Sequence, residues 1–166
     1  AIAGSVSPAS LTVNAATDYS FGGAGSIDGA VSLTKTNTGR LTINNTNAFT
    51  GGVNFKGGTV SVTSLSADGV SSPLGQSGTL TLDGGALEYT GGNVTWARNL
   101  TVGAASSVAT QTVHLVSGQS LALGGSSTWS TNTLFQLNGT LQMNGGSNDI
   151  AGRVEWQLGT LSGIGR

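Results

Sequence analysis

Residues 33–62, with the sequence LTKTNTGRLTINNTNAFTGGVNFKGGTVSV, decide the fold of this chain. Within them, segments such as Leu41-Thr42-Ile43 and Val60-Ser61-Val62 alternate apolar with small polar residues, and Gly or Asn separates the segments. This alternation is typical of strands with one buried face. Glycine makes up 28 of the 166 residues, and each interior glycine costs a helix about 1 kcal/mol. The sequence therefore predicts an all-β protein of many short strands.

Apolar residues recur along the chain at a nearly fixed interval of about 20 residues. A fixed period with several short strands per repeat is the sequence signature of a solenoid. We therefore predict a parallel β-helix with about 20 residues per coil and roughly eight coils, in which Leu80, Leu100 and Leu121 lie over one another. The first series is Leu41, Val60, Leu80, Leu100, Leu121, Leu141 and Leu161; the second is Val31, Val53, Leu74, Val94, Val113, Leu134 and Val154; a weaker third is Leu87, Val108, Trp129 and Ile150.

An antiparallel sandwich or barrel is the alternative architecture, because it also combines short strands with glycine turns. It does not require one repeat length to hold from residue 41 to residue 161, so the spacing favours the solenoid. Pairs of adjacent glycines and several asparagines supply corner residues. The Ser-rich residues 64–77 are expected to form one longer loop that leaves the coil.

Composition and charge exclude several classes of function. Six basic and seven acidic residues give a net charge of −1, which excludes a basic nucleic-acid surface. The absence of cysteine excludes disulfides and thiolate metal sites. No apolar run is long enough for a membrane-spanning helix, so membrane insertion of this segment is not expected. Both ends read as ordinary strand, so we expect one β-helix domain over residues 1–166, a segment of a longer solenoid or a stacking subunit.

The motifs resemble a known repeat. Residues 33–43 are similar to the strand pair LxKxGxGxLxL, residues 47–53 to NtytGgt, and residues 57–62 to GGtLxV. This is the pattern of the passenger-associated transport repeat of autotransporter passengers, and the likeness covers about residues 8 to 90 well. Asn37 stands where the family usually has Gly. The resemblance implies an extracellular, right-handed parallel β-helix, but no single activity, because passengers include stalks, adhesins and enzymes.

Candidate catalytic and metal-binding residues are few. His114 lies between Val113 and Leu115, so alternation points it outward, and no nucleophile motif accompanies it. Polysaccharide-cleaving β-helices need acidic residues on neighbouring coils. On the 20-residue period Asp68 and Glu88 fall on adjacent coils and Asp83 lies close in sequence, so a calcium or catalytic cluster of these three stays open.

The basic residues and threonines are expected at the surface, and the aromatic residues are expected in the core. The basic residues are scattered and are expected on outward faces, where they protect strand edges. Outward Thr suits an exposed strand, and Thr59, Thr79, Thr81 and Gln142 do not form the regular rows that ice binding requires. Alternation places Trp96 and Trp156 inside, although the aromatic residues could instead stack against sugars. The basic set is Lys35, Arg40, Lys56, Arg98, Arg153 and Arg166; the aromatic set is Tyr89, Trp96, Trp129, Phe135 and Trp156.

The sequence therefore predicts an extracellular structural or adhesive rod of the bacterial cell surface: a passenger-type stalk or surface scaffold. Two alternatives stay open, namely a subunit of an extracellular filament formed by head-to-tail stacking, and a β-helix that binds or cleaves polysaccharide. We expect no enzyme activity, no catalytic, metal-binding or cofactor-binding residue, and no cofactor. Expected partners are neighbouring coils or copies of the same protein end to end, and a glycan or host surface; nucleic acid is not expected.

Overall fold

The computed structural model describes residues 1–103, 110–115, 120–129, 134–143, 148–151 and 153–162. Within these ranges the chain is all-β, with no helix. The strands, in chain order, are β1 (Leu11–Asn14), β2 (Tyr19–Phe21), β3 (Leu33–Thr36), β4 (Arg40–Ile43), β5 (Val53–Phe55), β6 (Thr59–Val62), β7 (Leu80–Leu82), β8 (Ala86–Tyr89), β9 (Val94–Trp96), β10 (Leu100–Val102), β11 (Thr110–Leu115), β12 (Ser120–Leu123), β13 (Ser127–Trp129), β14 (Leu134–Met143), β15 (Asn148–Ile150) and β16 (Arg153–Ser162).

The strands form two parallel sheets, and along most of the chain a strand of one sheet follows a strand of the other; β8 and β9, and later β11 and β12, are consecutive strands of the second sheet. The first sheet has the order β1-β3-β5-β7-β10-β13-β15. The second has the order β2-β4-β6-β8-β11-β14-β12-β9, and β16 pairs with β14. Within the described ranges every pair of strands is parallel, which excludes the antiparallel sandwich. Parallel pairing between strands of successive repeats, such as β3 with β5 and β4 with β6, is consistent with a β-helix.

Alternation within the strands places the core between the sheets. In the first sheet, Leu33, Val53 and Leu80 occupy successive rungs and are almost fully buried, whereas their neighbours Thr34 and Thr81 face outward and are half-buried. Burying one Leu or Val side chain stabilises the fold by about 1.5–3 kcal/mol. The stacked inner residues therefore give each added rung its own hydrophobic stabilisation.

The pairing register corrects the first apolar series. Leu100 does pair with Leu80, but Leu121 lies in the second sheet and pairs with Val94 and Leu141. The prediction that Leu80, Leu100 and Leu121 pile up was therefore wrong for Leu121.

The reason is that two intervals in the first sheet are longer than the sequence repeat. Val53 pairs with Leu80, and Leu100 pairs with Ser127, and both stretches of chain are longer than the one between Leu80 and Leu100. After each longer interval, the residue that lies about 20 positions further along the chain belongs to the other sheet, although the spacing of the apolar residues stays regular. The first series consequently lies in the second sheet at residues 41 and 60, in the first sheet at 80 and 100, and in the second again at 121, 141 and 161.

The second and third series are corrected in the same way. Leu74 of the second series lies in no strand. Leu87 of the third series pairs with Val60 and Val113, which belong to the other two series. The expected Trp129–Ile150 pair is confirmed, and Val108 lies outside the described residues.

Residues 64–77 contain no strand. Near the two ends of this segment, the side chains of Leu65 and Leu74 pack in the core, where they are 6% and 0% exposed. The middle is a compact turn at residues 66–71. In it the Val70 amide donates to the Ala67 carbonyl at 3.2 Å, and the Ser66 hydroxyl donates to the Ser71 carbonyl at 3.3 Å. The predicted long loop is therefore confirmed, and it accounts for the long interval between Val53 and Leu80.

Asn47 joins successive layers between the two sheets. Its side-chain Oδ1 accepts the Ile27 amide at 2.9 Å, and its Nδ2 donates to the Pro73 carbonyl at 2.9 Å. Asn45 Nδ2 donates to the same Oδ1 at 2.6 Å. Because Asn47 is 1% exposed, its amide replaces strand pairing where the chain turns between the sheets.

Candidate functional site

A polar cluster on the outer face of the second sheet consists of Arg40, Ser61, Glu88 and His114. The register places Ser61, Glu88 and His114 on successive strands β6, β8 and β11, all on one face. The Ser61 hydroxyl donates to Glu88 Oε1 at 2.8 Å, and His114 Nδ1 lies 3.4 Å from Glu88 Oε2. Arg40 Nη1, from β4, forms an ion pair with Glu88 Oε1. Glu88 is thus the centre of the cluster.

The electrostatics keep Glu88 ionised. The hydrogen bond from Arg40 is the main cause that lowers the Glu88 pKa; partial burial opposes it, and Ser61 and His114 support the lowering. The same contact raises the Arg40 pKa. A carboxylate held as an anion against an arginine cannot deliver a proton as a general acid near neutral pH. The cluster is therefore suited to holding adjacent strands together.

The structure does not bring the three suspected carboxylates together as the sequence period suggested. One rung before Glu88 the register places Ser61, not Asp68, because the chain between β6 and β8 is longer than one repeat. Asp68 is exposed on the loop 66–71, and its charge raises the pKa of Arg98 against the larger desolvation effect. Asp83 directly follows β7, where its amide donates to the Phe55 carbonyl at 2.8 Å. Among the described residues there is no group of three or more His, Cys, Asp or Glu side chains that could hold a metal ion.

His114 is exposed, with 48% of its side chain accessible, and its neighbour Val113 is buried, so the predicted outward orientation is confirmed. Its contact with Glu88 was not predicted, because the register that joins β8 to β11 was not known from the sequence.

The position of Lys35 corrects one prediction. It was expected on an outward face, yet it is 0% exposed. Its Nζ donates to the Thr36 and Asn37 carbonyls at 2.7 and 3.0 Å, with a longer contact of 3.5 Å to the Gly57 carbonyl. Desolvation lowers its pKa, opposed by the charge of Asp18. The signal was available, because Lys35 is two positions after the inward Leu33 and alternation points both to the same side.

Arg98 corrects the same expectation and holds the loop 64–77. It is 2% exposed, and its guanidinium group lies 5.1 Å from the centre of the Trp96 ring. Nε donates to the Gly78 carbonyl at 2.9 Å and Nη2 to the Ser77 carbonyl at 2.6 Å. Nη1 donates to the Leu74 carbonyl at 2.9 Å, with a longer contact of 3.4 Å to Gly75. Burial lowers the Arg98 pKa. One side chain thus satisfies four carbonyls at the end of the loop.

The other basic residues differ in exposure. Arg40 is partly exposed, with 39% of its side chain accessible, and Lys56 is exposed, as expected for outward residues. The side chain of Arg153 and all of Arg166 lie outside the described part of the chain.

The aromatic residues and the outer threonines complete the surface. Trp96 is 0%, Trp129 2% and Tyr89 3% exposed, so their core positions exclude stacking against an external sugar. The side chains of Phe135 and Trp156 lie outside the described residues. On the first sheet the register aligns outward residues into one column: Thr12, Thr34, Asn54, Thr81, Thr101, Thr128 and Asp149. This column is more regular than the sequence suggested, because Thr59 and Gln142 belong to the second sheet and Thr79 lies outside the strands.

The fold and surface define a class: an all-β protein of parallel sheets with a polar outer face. The chain is similar to the BmaC autotransporter adhesin of Brucella suis biovar 1 (strain 1330), with 34% identity over 142 residues. The aligned part is 81% of this chain, and the chain spans about 4% of the length of the adhesin. No family model matches the chain, and no solved structure matches it. The similarity supports an autotransporter-related family. In the described residues, none of the structure is a helix with the length and apolar character needed to cross a membrane.

Proposed function

We propose that this chain is part of an extracellular, adhesive or structural rod on a bacterial surface, of the autotransporter passenger type. The observation that carries the proposal is the pair of continuous parallel ladders, combined with the similarity to an autotransporter adhesin over 81% of the chain. In such a ladder each rung is hydrogen-bonded to the next, so the rod resists bending and leaves few open backbone groups for proteases.

The proposal includes a right-handed parallel β-helix of roughly eight coils that carries the passenger-associated transport repeat, and one domain over residues 1–166 within a longer solenoid. Right-handed crossovers between parallel strands are favoured in about 98% of cases. Seven strands of the first sheet and the bridge between Val6 and Ile27, which lies earlier along the rod, support the count.

We propose no catalytic function. The best-placed carboxylate, Glu88, is engaged by Arg40, Ser61 and His114 instead of facing a second acid, which disfavours polysaccharide cleavage. For the partners, we propose neighbouring coils of the same protein and a host or glycan surface.

The experiment is surface display of the whole chain on a non-adherent bacterium, followed by counts of cells bound to host-cell monolayers. A variant displayed at the same density with β4 broken by Leu41→Pro is the folding control. Adhesion of the displayed chain above the empty display strain, lost in the control, is the expected result. Equal adhesion of the empty strain and of cells displaying the chain would contradict an adhesive role.

A further inference from the structure

A small polar recess lies where the loop 64–77 meets the first sheet. It has a volume of about 240 Å³ and is lined by Asp68, Gly78, Thr79, Ala97, Arg98 and Asn99. Thr79 directly precedes Leu80 of β7, and Asn99 directly precedes Leu100 of β10. Leu80 and Leu100 are register partners, so Thr79 and Asn99 are neighbours on adjacent rungs, roughly 4.8 Å apart in backbone spacing. Asp68 lines the recess from the loop.

The recess is built on a buried cation. Arg98 is 2% exposed and donates to carbonyls from Leu74 to Gly78, including Gly78 itself at 2.9 Å. Taking a guanidinium group out of water is costly unless its donors are satisfied, and here four carbonyls satisfy it. Arg98 is therefore a positioning residue: it fixes the loop end that carries Gly78 and lies near the Asp68 carboxylate.

The polar side chains offer complementary groups to a ligand. Asp68, Thr79 and Asn99 are all exposed. The Asp68 carboxylate accepts hydrogen bonds, and the Thr79 hydroxyl can both donate and accept. Asn99 Oδ1 already accepts the Ser126 amide at 3.1 Å, which orients its Nδ2 as a donor. The only apolar side chain in the lining is Ala97, so the recess has no surface for an apolar ligand.

We propose that this recess is a subsite for one neutral sugar unit of a glycan. This proposal rests on the adhesive function proposed above and names its ligand class. Sugar hydroxyl groups donate and accept at once, so adjacent hydroxyls can bridge the Asp68 carboxylate and the Asn99 amide. The negative Asp68 at the opening disfavours acidic sugars, and the buried Arg98 offsets the Asp68 charge, so the recess carries no net charge that would select an amino sugar. The volume lies below the ~300–1,000 Å³ of pockets for drug-sized ligands, which suits a single ring.

The test is a titration of the ¹⁵N-labelled whole chain with glucose, galactose, mannose, glucuronic acid and glucosamine, followed by amide chemical shifts. We expect saturable shifts at Gly78, Thr79 and Asn99 with at least one neutral hexose. Asp68→Asn and Thr79→Val keep side-chain size on exposed positions, and each should weaken that binding by about fivefold or more, since each removes one hydrogen-bonding function. Asp149→Asn and Thr12→Val, exposed and distant, are the matched controls and should leave it unchanged.

Three results would overturn the subsite: no saturable shifts with any neutral hexose, unchanged binding in both recess variants, or tighter binding of glucuronic acid or glucosamine than of the neutral hexoses. The display assay separates this proposal from the adhesive function. If cells displaying Asp68→Asn and Thr79→Val adhere like the parent chain, adhesion stands and the subsite loses its role in it. If the chain does not adhere but a neutral hexose shifts the recess amides, the adhesive function fails and the sugar site stands.

Discussion

The side chain of Asn47 should contribute far more to the free energy of unfolding than that of the nearby Asn44, although both asparagines lie in the same turn of the chain. Replacing Asn47 by Ala removes the acceptor of the Ile27 amide and the donor to the Pro73 carbonyl, both at 2.9 Å. Leaving each buried group without a partner costs about 1–3 kcal/mol. We therefore expect Asn47→Ala to destabilise the fold by about 3–5 kcal/mol, including the small cavity that it leaves.

Asn44→Ala is the matched control. Asn44 is exposed and its Nδ2 makes one contact of 3.4 Å with the Ser20 hydroxyl, so its loss should cost less than about 0.5 kcal/mol. Urea unfolding gives the global difference. Amide hydrogen exchange gives the local one, because the Ile27 amide should exchange faster by about tenfold for every 1.4 kcal/mol lost.

Two results would refute the role of Asn47. If Asn47→Ala and Asn44→Ala shift the urea midpoint by the same amount, the Asn47 amide does not join the layers. An unchanged exchange rate at Ile27 would contradict the hydrogen bond itself. Exchange at Leu100, in a distant rung, should be accelerated less than exchange at Ile27 in Asn47→Ala and should stay constant in Asn44→Ala.

The buried and paired charges give three further predictions. Arg98→Met should release the loop 64–77 at a cost of about 3–5 kcal/mol, because four carbonyls, two of them in buried hydrogen bonds, lose their donor. Limited proteolysis should then cut within residues 66–71 first, and unchanged cleavage would contradict the anchoring role. The pKa of Glu88 is lower in the folded chain than in the unfolded chain, so the stabilisation by its carboxylate is fully present above the unfolded pKa and is lost as the pH falls through the folded pKa. Urea midpoints measured across the acid range should therefore fall less steeply in Glu88→Gln than in the parent chain. The pKa of Lys35 is lower in the folded chain than its ordinary value of 10.5, so the unfolded chain binds the proton more tightly. Stability should therefore rise as the pH increases from the folded pKa towards 10.5. Lys35→Met should lack this rise, and an identical pH profile in the variant would contradict a buried ammonium group.

Much of the fold could be predicted from local pattern. Alternation correctly indicated strands at Leu41-Thr42-Ile43 and Val60-Ser61-Val62, and it placed Trp96 inside. These predictions succeed because strand geometry forces neighbouring side chains to opposite faces, independently of the rest of the chain. The same rule predicts burial of Lys35, two positions after Leu33, and here strand geometry outweighs the general preference of charged residues for the surface.

The register between strands could not be predicted in the same way. Leu and Val serve as inward residues in both sheets, so the regular spacing is compatible with either sheet, and the turn at residues 66–71 adds length without a hydrophobic signal. The cluster around Glu88 depends on that register, because Ser61 and His114 each lie farther from Glu88 along the chain than one repeat. The contacts of Arg98 with loop carbonyls depend on backbone positions that no residue pattern reports.

The ion pair between Arg40 and Glu88 reaches past one strand, since β4 and β8 are both neighbours of β6 in the second sheet. A stack in which each layer contacts only the next would peel apart one layer at a time under load. Because the Arg40 side chain binds a residue two layers away, the ion pair couples three layers, and this part of the molecule should unfold as a single unit. Pulled from its ends, the chain should then lengthen there in one larger step, and added salt should divide that step into smaller ones.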